Sequence, residues 1–529
     1  MALKRNNMVN LPEHGVVRHK CKNSIYIYHF TRIYRDENGK PTNERISIGK
    51  LDEESGMLIP NRNYYDIYDS HDKQPQVKSI KSCGTTYVVD KLLNKFGLTK
   101  IMKNCFANLS DKIIALAEYM LCEGNIMSYY EDWQDEAHTY HNIELGSADI
   151  SRVFQSIDYD SRMEFFKAWI HAKDPTEYIA YDVTSISSYS KGIEVLEWGY
   201  NRDGENLSQL NFAMYYGQES MLPLYYCIYP GSITDKVHLK YMLRDNELIG
   251  CKNTKYVIDR GFFTADNLNM MAKAGVRFII SVPNSGLFAK NLIDKHRNEI
   301  INLSECRLGR GLPYAKAVIC EEFGIRLKAH VYYNQAKAAV EEEHLFNEID
   351  RCESELRQMS EPPSKELRYD RYFKINRSKK GEVAYVRDHE KINKLISRLG
   401  FFIIAESDFK ATSLEILQKY RERDVIEKTF DELKNEIDMK RLYCHSDKTM
   451  EGKMFVSFIS LVIRSCMQNK LRKYENKGSF RSIMKELEKI KYVVTGDGKT
   501  LLSPITKKQR EILEAFELSP EDLKTWLAG

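Results

Sequence analysis

The stretch YIAYDVTSIS, residues 178–187, opens the part of the sequence that decides the fold. Its apolar run predicts a largely buried strand. SQLNFAMYYG (208–217) and LPLYYCIYPG (222–231) predict two further strands. The predicted elements that follow are a helix over 235–250, a strand over 255–262, a helix over 264–275 and a strand over 276–283. The order β-β-β-α-β-α-β predicts a mixed sheet with helices on its faces, and therefore an α/β fold.

Composition excludes several classes of protein. The 529 residues are 43% hydrophobic and 29% charged, with a net charge of +4, which excludes a largely disordered or collagen-like chain. The longest apolar stretch, Phe455 to Ile463, has nine residues, whereas a membrane helix needs about 20. The first residues lack the apolar core of a secretory signal, and the 11 cysteines lack zinc-finger spacing. We expect a multidomain, soluble protein of the reducing cytoplasm, without membrane association.

The near-neutral net charge hides two basic ends. Residues 1–50 carry ten Lys or Arg and four Asp or Glu, and residues 461–510 carry thirteen and four. Basic regions of this kind are typical of proteins that bind a polyanion, because each neutralised phosphate releases counterions. A solvated surface gives the same charge count, so charge alone leaves both interpretations open.

Two carboxylates stand where predicted strands present side chains rigidly. Asp182 follows the apolar run 178–181, and Asp259 ends the run 256–258 before Arg260 and Gly261. The simplest explanation for either residue is a cap or turn at a strand boundary. A catalytic role requires a third partner from elsewhere in the chain.

The third candidate segment is YRERDVIEKTFDELK, residues 420–434. On one continuous helix, Arg423, Glu427 and Lys434 lie at about −60°, −20° and −40° from Tyr420, and Asp431 lies at about +20°. Polar residues concentrated on one stripe predict contact with water or with a charged ligand. The alternative is a solvated face with an Arg423–Glu427 ion pair, which contributes a few tenths of a kcal/mol.

The spacing of Tyr420, Arg423, Glu427 and Lys434 resembles the YREK signature of bacterial insertion-sequence transposases of the DDE class. YIAYDVTS and KYVIDRGF resemble the two Asp motifs of that class, and WGYNRDGENLSQL (198–210) resembles the stretch between its first two strands. The resemblance runs from about residue 175 to 465. It implies a ribonuclease H-like mixed-sheet core with an inserted α+β domain, β-rich and helical N-terminal regions and a helical C-terminal region.

The resemblance also implies roles for individual residues. Asp182, Asp259 and Glu427 would be the catalytic, metal-binding triad, and Tyr420, Arg423 and Lys434 would bind the phosphates of the DNA end. The implied cofactor is Mg²⁺, for which Mn²⁺ can substitute, because hard cations require oxygen ligands. The implied reaction is two-metal-ion cleavage at the transposon ends, followed by strand transfer to target DNA.

The resemblance further implies an organisation and partners. The partners are double-stranded DNA, as terminal inverted repeats and as target, and a second copy of the chain in the synaptic complex. The predicted regions are 1–84 (β-rich, basic, DNA-end binding), 85–174 (helical, DNA binding or linker), 175–286 (catalytic core, first part), 287–398 (insertion), 399–450 (catalytic core with the Glu helix) and 451–529 (helical, basic).

Some features point elsewhere or leave alternatives open. Some members of the class stack a flipped base on a Trp of the insertion. All four Trp of this chain lie outside 287–398, so stacking there requires a Tyr or Phe, and the candidates are Tyr332, Tyr333 and Tyr372. GDGKT (496–500) lacks the upstream Gly of a phosphate-binding loop and predicts a turn, and a lone His445 is more often structural. A catalytically inactive DNA-binding derivative and a nuclease without strand transfer remain alternatives.

Overall fold

The computed structural model describes residues 8–21, 24–35, 40–68, 77–173, 177–250, 254–361, 363, 367–376, 383–474 and 478–528. The chain divides into two compact units, residues 1–80 with 492–503 and residues 81–491 with 504–529. Across the described ranges, no helix combines the length and the apolar character that crossing a membrane requires.

The strands of the described residues are, in chain order, β1 (Val16–Cys21), β2 (Ser24–Arg35), β3 (Pro41–Leu51), β4 (Leu58–Pro60), β5 (Val77–Ser82), β6 (Tyr178–Ser187), β7 (Gln209–Gly217), β8 (Leu222–Pro230), β9 (Lys255–Ile258), β10 (Arg277–Val282), β11 (Tyr314–Glu322), β12 (Ile325–Tyr333), β13 (Phe373–Asn376), β14 (Ala384–Arg387), β15 (Phe401–Glu406), β16 (Lys491–Thr495) and β17 (Thr500–Leu502).

The α-helices are, in chain order, α1 (Arg62–Tyr68), α2 (Gly84–Lys95), α3 (Leu98–Phe106), α4 (Ser110–Glu123), α5 (Tyr130–Glu136), α6 (Ser147–Ser156), α7 (Tyr159–His171), α8 (Asp235–Ile249), α9 (Ala265–Lys273), α10 (Leu287–Asn302), α11 (Gln335–Gln358), α12 (Leu367–Asp370), α13 (His389–Ile396), α14 (Ser413–Arg421), α15 (Asp424–Asp431), α16 (Asp447–Leu471), α17 (Phe480–Glu488), α18 (Lys507–Ala515) and α19 (Pro520–Ala528).

The first unit is β-rich, as predicted. Strands β1 to β4 form an antiparallel sheet in sequence order. One face of this sheet buries Ile27, Ile48, Leu51 and Leu58 together with side chains of α1. A second sheet has the strand order β17-β16-β5. The predicted turn in GDGKT is confirmed, because it joins β16 to β17.

The second unit is built on one mixed sheet with the strand order β11-β12-β15-β10-β9-β6-β7-β8. Strand β6 pairs antiparallel with β7 and parallel with β9, and β9 pairs parallel with β10. The strands and helices predicted between residues 178 and 283 are all present in their predicted order. The predicted α/β fold class with a mixed sheet is confirmed.

Residues 287–398 contribute to this sheet and also form a separate cluster. Strands β11 and β12 extend the sheet through antiparallel pairing of β12 with β15. The predicted charged helix is α11, and its buried residues pack with those of β13 and α13 in a core of their own. The region between β10 and β15 therefore widens the sheet and adds a small hydrophobic core.

The second unit also contains long helical stretches outside its central sheet. The region from residue 85 to 170 is helical, as predicted, and consists of α2 to α7 joined by short turns. Helix α16 is buried along most of its length and packs against α4, α6 and β8. This arrangement encloses a long apolar helix within the second unit, because its whole circumference meets other elements.

Candidate active site

Asp182 lies in the middle of β6, between the buried residues Tyr181 and Val183. Side chains alternate along a strand, so Asp182 points away from these two neighbours, and its side chain is 22% exposed. The Val183 N–H donates to Asp182 Oδ1 at 2.8 Å. Burial raises the pKa of Asp182 to about 6, although the neighbouring Arg423 acts in the opposite direction. The strand thus holds a carboxyl group partly out of water.

Asp259 directly follows β9. Strand β9 runs parallel to β6 with Ile258 opposite Tyr181. The residue that follows each of these two is an aspartate. Paired strands lie about 4.8 Å apart. The register of one parallel strand pair therefore brings Asp182 and Asp259 side by side, although 77 positions separate them in the sequence.

Arg423 connects the three predicted carboxylates. Its Nη1 lies 3.3 Å from Asp182 Oδ2, and its Nη2 lies 3.7 Å from Asp259 Oδ1 and 2.8 Å from Glu427 Oε1. The Arg423 side chain is only 11% exposed, whereas that of Glu427 is 57% exposed. One buried guanidinium therefore contacts carboxylates from β6, from the end of β9 and from α15.

Tyr420 supports this arrangement from α14. Its hydroxyl donates to Asp259 Oδ1 at 3.4 Å, and the Arg423 guanidinium lies 5.6 Å from the centre of its ring. Burial is the main cause that raises the pKa of Tyr420, so the hydroxyl keeps its proton at neutral pH. Tyr420 therefore touches one carboxylate and the cation that joins all three.

The prediction of one continuous helix over residues 420–434 is wrong. Helix α14 ends at Arg421, α15 begins at Asp424, and Glu432–Glu436 is a π-helix. The Ile437 N–H bonds to the carbonyl of Glu432 at 3.0 Å, five residues back rather than four. A π-turn shifts the later side chains around the axis and is frequent at functional sites, so the even 100° spacing fails beyond α15.

Lys434 lies within this π-turn. Its Nζ lies 2.9 Å and 2.7 Å from the two carboxylate oxygens of Asp203, and its side chain is 10% exposed. Asp431 is exposed and accepts a hydrogen bond from Asn435 Nδ2 at 2.6 Å. Arg423 and Glu427 thus meet as an i,i+4 pair, but Lys434 binds a different carboxylate.

The sequence interpretation missed the acidic residues of the loop between β6 and β7. Asp203 holds Lys434, and Glu205 pairs with Arg441 and lies 3.5 Å from Lys440. The available signal was RDGEN, residues 202–206, which lies within the stretch that resembles the transposase class. These acids were assigned no role, because their basic partners lie more than 200 positions away.

The tyrosines proposed for base stacking in the insertion lie in packed surroundings. Tyr332 and Tyr372 are fully buried, and Tyr332 stacks on Phe402 at 4.8 Å between ring centres. Tyr333 is partly buried and packs against Phe401. The structure therefore corrects the assignment of Tyr332 and Tyr372, because a ring enclosed in a core cannot receive a base.

The carboxylates have the chemistry of a divalent-cation site. Among the described residues, no group of three or more His, Cys, Asp or Glu side chains is arranged to hold a metal ion, and at this site the Arg423 guanidinium lies among the three acids. Carboxylate oxygens are the ligands that Mg²⁺ and Mn²⁺ prefer. The three carboxylates already surround one positive charge, that of Arg423. Their oxygen atoms are therefore suitable ligands for a hard cation.

The chain is similar to a known protein family over much of the second unit. A family described as the transposase DDE domain matches residues 174–463, which is more than half of the chain. Comparison with the curated proteins finds no match. Among solved structures, a piggyBac transposase synaptic complex with hairpin DNA is 9% identical, with a TM-score of 0.36, and the similarity covers 72% of this chain and 70% of that chain. Similarity at that level carries no argument about this chain.

Proposed function

The chain belongs to the family of the transposase DDE domain, and on that basis we propose that it is the transposase of a bacterial insertion sequence of the YREK type. In this proposal it cleaves phosphodiester bonds at the ends of its element and joins the freed strands to target DNA. Transposases of this class generally use divalent metal ions, and Mg²⁺, with Mn²⁺ as a substitute, is the proposed cofactor.

The observation that carries this proposal is the convergence of Asp182, Asp259 and Glu427 on Arg423, at distances of 2.8 to 3.7 Å. Carboxylates cost free energy when they gather in a partly buried site, unless a cation neutralises them. An arrangement that keeps three of them together is therefore suited to binding cations. Asp182, Asp259 and Glu427 are the proposed ligands.

Divalent ions bound there would stabilise charge on the phosphate and on the attacking and leaving oxygens. The residues of the chain would supply the rest. Asp182 and Asp259 are fixed by paired strands, so their positions are set before DNA binds. Glu427 is the most exposed of the three and reaches the site from a separate helix.

Tyr420, Arg423 and Lys434 are the proposed contacts to DNA phosphates. Arg423 can donate two parallel hydrogen bonds to a phosphate, whereas Lys434 acts as a point charge. Each cation is now paired with a carboxylate of the chain itself. Phosphate binding therefore requires these two side chains to exchange partners.

The remaining parts of the proposal concern the assembly. The proposed partners are the terminal inverted repeats and the target, both double-stranded DNA, with two copies of the chain in the synaptic complex. The basic N-terminal region and the helices after it are proposed to read the ends. The division into functional regions, and a cytoplasmic location, stay predictions from the sequence.

The test is an assay of the full chain with Mg²⁺ and duplex DNA that carries the terminal repeats found beside its coding sequence. Nicking at the repeat ends together with joined products supports the transposase. Nicking without joining supports a nuclease, and binding without nicking supports an inactive derivative.

Glu427→Gln provides the residue-level test, because it removes a charge with little change in shape. We expect loss of cleavage by at least about 100-fold, the scale of an important electrostatic group, with end binding retained. Asp431→Asn is the matched control, one turn further along the same helix. Near-normal cleavage by Glu427→Gln, with loss in Asp431→Asn, would transfer the ligand assignment to Asp431.

A further inference from the structure

The face of the N-terminal sheet opposite α1 carries an aromatic row with basic residues on its β3 side. Tyr26, Tyr28 and Phe30 alternate along β2 with the core residues Ile25, Ile27 and His29. The core side is the one covered by α1, since His29 Nδ1 lies 2.7 Å from the hydroxyl of Tyr68 and Ile27 is fully buried. The aromatic row therefore belongs to the opposite face.

Pairing places basic residues on the β3 side of this row and a histidine on its β1 side. On β1, His19 pairs with Tyr26 and its ring lies 6.1 Å from that of Tyr28. On β3, Lys50 pairs with Tyr26 and Arg45 pairs with Phe30. The Arg45 guanidinium lies 5.2 Å from the centre of the Tyr28 ring. We call these six residues the aromatic-basic face: His19, Tyr26, Tyr28, Phe30, Arg45 and Lys50.

The charge of the three strands suits a polyanion. Strands β1 and β2 contain no Asp or Glu, and β3 contains only Glu44. Of the six Lys or Arg in these strands, Arg45 and Lys50 pair with the aromatic row, whereas the two on β1 pair with residues of the core side. Tyr26 is 39% exposed, and Arg45 and His19 are exposed. Aromatic rings with interleaved cations are the chemistry that binds nucleic-acid bases and backbone together.

The spacing of the rings distinguishes between single and double strands. Rings on one face of a strand repeat every two residues, or about 6.8 Å. Bases stacked in a duplex repeat at about 3.4 Å and present only their edges. Successive bases can lie on successive rings only when they are unstacked, and the cations of β3 can then hold the backbone.

We propose that the aromatic-basic face binds single-stranded DNA by stacking bases on Tyr26, Tyr28 and Phe30, while Arg45, Lys50 and His19 contact phosphates. This binding site is separate from the carboxylates of the candidate active site. This proposal rests on the proposed function in one respect, which is the choice of DNA rather than RNA as the bound nucleic acid. A transposase that separates strands at its element ends would have such a strand to bind.

The test measures binding of the full chain, in EDTA, to a fluorescent single strand of about 20 nucleotides, long enough to exceed a typical single-strand site, and to the matching duplex. The first variant is Tyr26→Leu with Tyr28→Leu, which keeps apolar bulk and removes stacking. We expect at least a tenfold loss of affinity for the single strand and less than a threefold loss for the duplex.

Charge variants and a matched control complete the design. Arg45→Gln with Lys50→Gln is expected to reduce the slope of log affinity against log salt by about 1.4 for the single strand, or about 0.7 per phosphate contact. The control is Tyr65→Leu with Arg62→Gln, which removes the same residue types from α1. We expect this control to bind the single strand as wild type does.

Three results would overturn the proposal. They are unchanged single-strand affinity in both face variants, an equal loss in the α1 control, and a preference for an RNA strand of the same sequence. If a variant does not fold, the wild-type chain is crosslinked by ultraviolet light to a single strand that contains 5-iodouracil. The proposal then requires the crosslinks to fall on β1, β2 or β3. Because EDTA prevents metal-dependent cleavage, this binding result is independent of whether the chain cleaves transposon ends.

Discussion

Replacing Arg423 with methionine removes the positive charge shared by Asp182, Asp259 and Glu427 while keeping most of the side-chain length. We expect the variant to be less stable than wild type at pH 8 in EDTA. The loss should be largely recovered when Mg²⁺ or Mn²⁺ is added, because a divalent ion can then neutralise the same carboxylates.

The size of the effect follows from the exposure of each partner. Arg423 and Asp182 have side chains that are 11% and 22% exposed, and breaking a buried ion pair costs about 3–5 kcal/mol. Asp259 and Glu427 are 36% and 57% exposed, so solvent screening limits each of those pairs to about 1 kcal/mol or less. Protonation of Asp182 relieves part of the cost, which leaves about 2–4 kcal/mol at pH 8 and less near pH 6.

Thermal unfolding followed by circular dichroism measures the loss, with Arg421→Met as the matched control at an exposed position two residues earlier. An ion present at 100 times its dissociation constant stabilises the folded chain by about 2.7 kcal/mol. The gain should be larger in Arg423→Met than in wild type, where the ion competes with the guanidinium. Equal gains in both proteins, or no loss in EDTA, would contradict this account of Arg423.

Three further predictions concern buried or paired acids. Because burial raises the pKa of Asp182 to about 6, wild type should lose stability relative to Asp182→Asn as pH rises from about 4 to 6. Above pH 6 the variant should be the more stable chain by at most about 3 kcal/mol, and equal pH profiles of the two chains in urea unfolding would contradict this. Glu118 is fully buried and its pKa is raised to about 8, so Glu118→Gln should stabilise the chain at pH 9 and change little at pH 4. Asp203→Asn should free Lys434, which should raise the affinity for duplex DNA at low salt and steepen the slope of log affinity against log salt by about 0.9. Unchanged binding would show that Lys434 does not reach DNA.

The strands that carry the site followed from local pattern. Residues 178–187 were predicted as a strand, and β6 has those bounds, because a long apolar run between turns leaves few alternatives to a buried strand. The position of Asp259 directly after β9 followed in the same way. The placement of Asp182 at a strand end was wrong, because β6 continues to Ser187. The resemblance implied that these two residues belong to one triad, but the parallel pairing of β6 with β9 that brings them together was not predicted.

Helical periodicity predicted some of the contacts made by residues 420–434. Arg423 and Glu427 share a face and form the i,i+4 ion pair of the alternative interpretation, since four residues span one turn across the junction of α14 and α15. The buried Arg423 side chain does not fit the solvated face of that alternative. Lys434 lies within the π-turn at Glu432–Glu436 and pairs with Asp203, a contact that helical spacing did not predict. Arg464 of α16 pairs with Glu432 and Glu436 from outside this segment, and no window of local sequence contains that contact.

The sequence by itself determined the fold class, the order of the central strands and helices, and the positions of the three candidate carboxylates along the chain. Only the tertiary structure decided that Arg423 joins those carboxylates, that Asp203 holds Lys434, and that Tyr332 and Tyr372 are buried. The physical reason is range. Strand and helix patterns arise from neighbouring residues, whereas ion pairs and burial depend on which distant elements pack together.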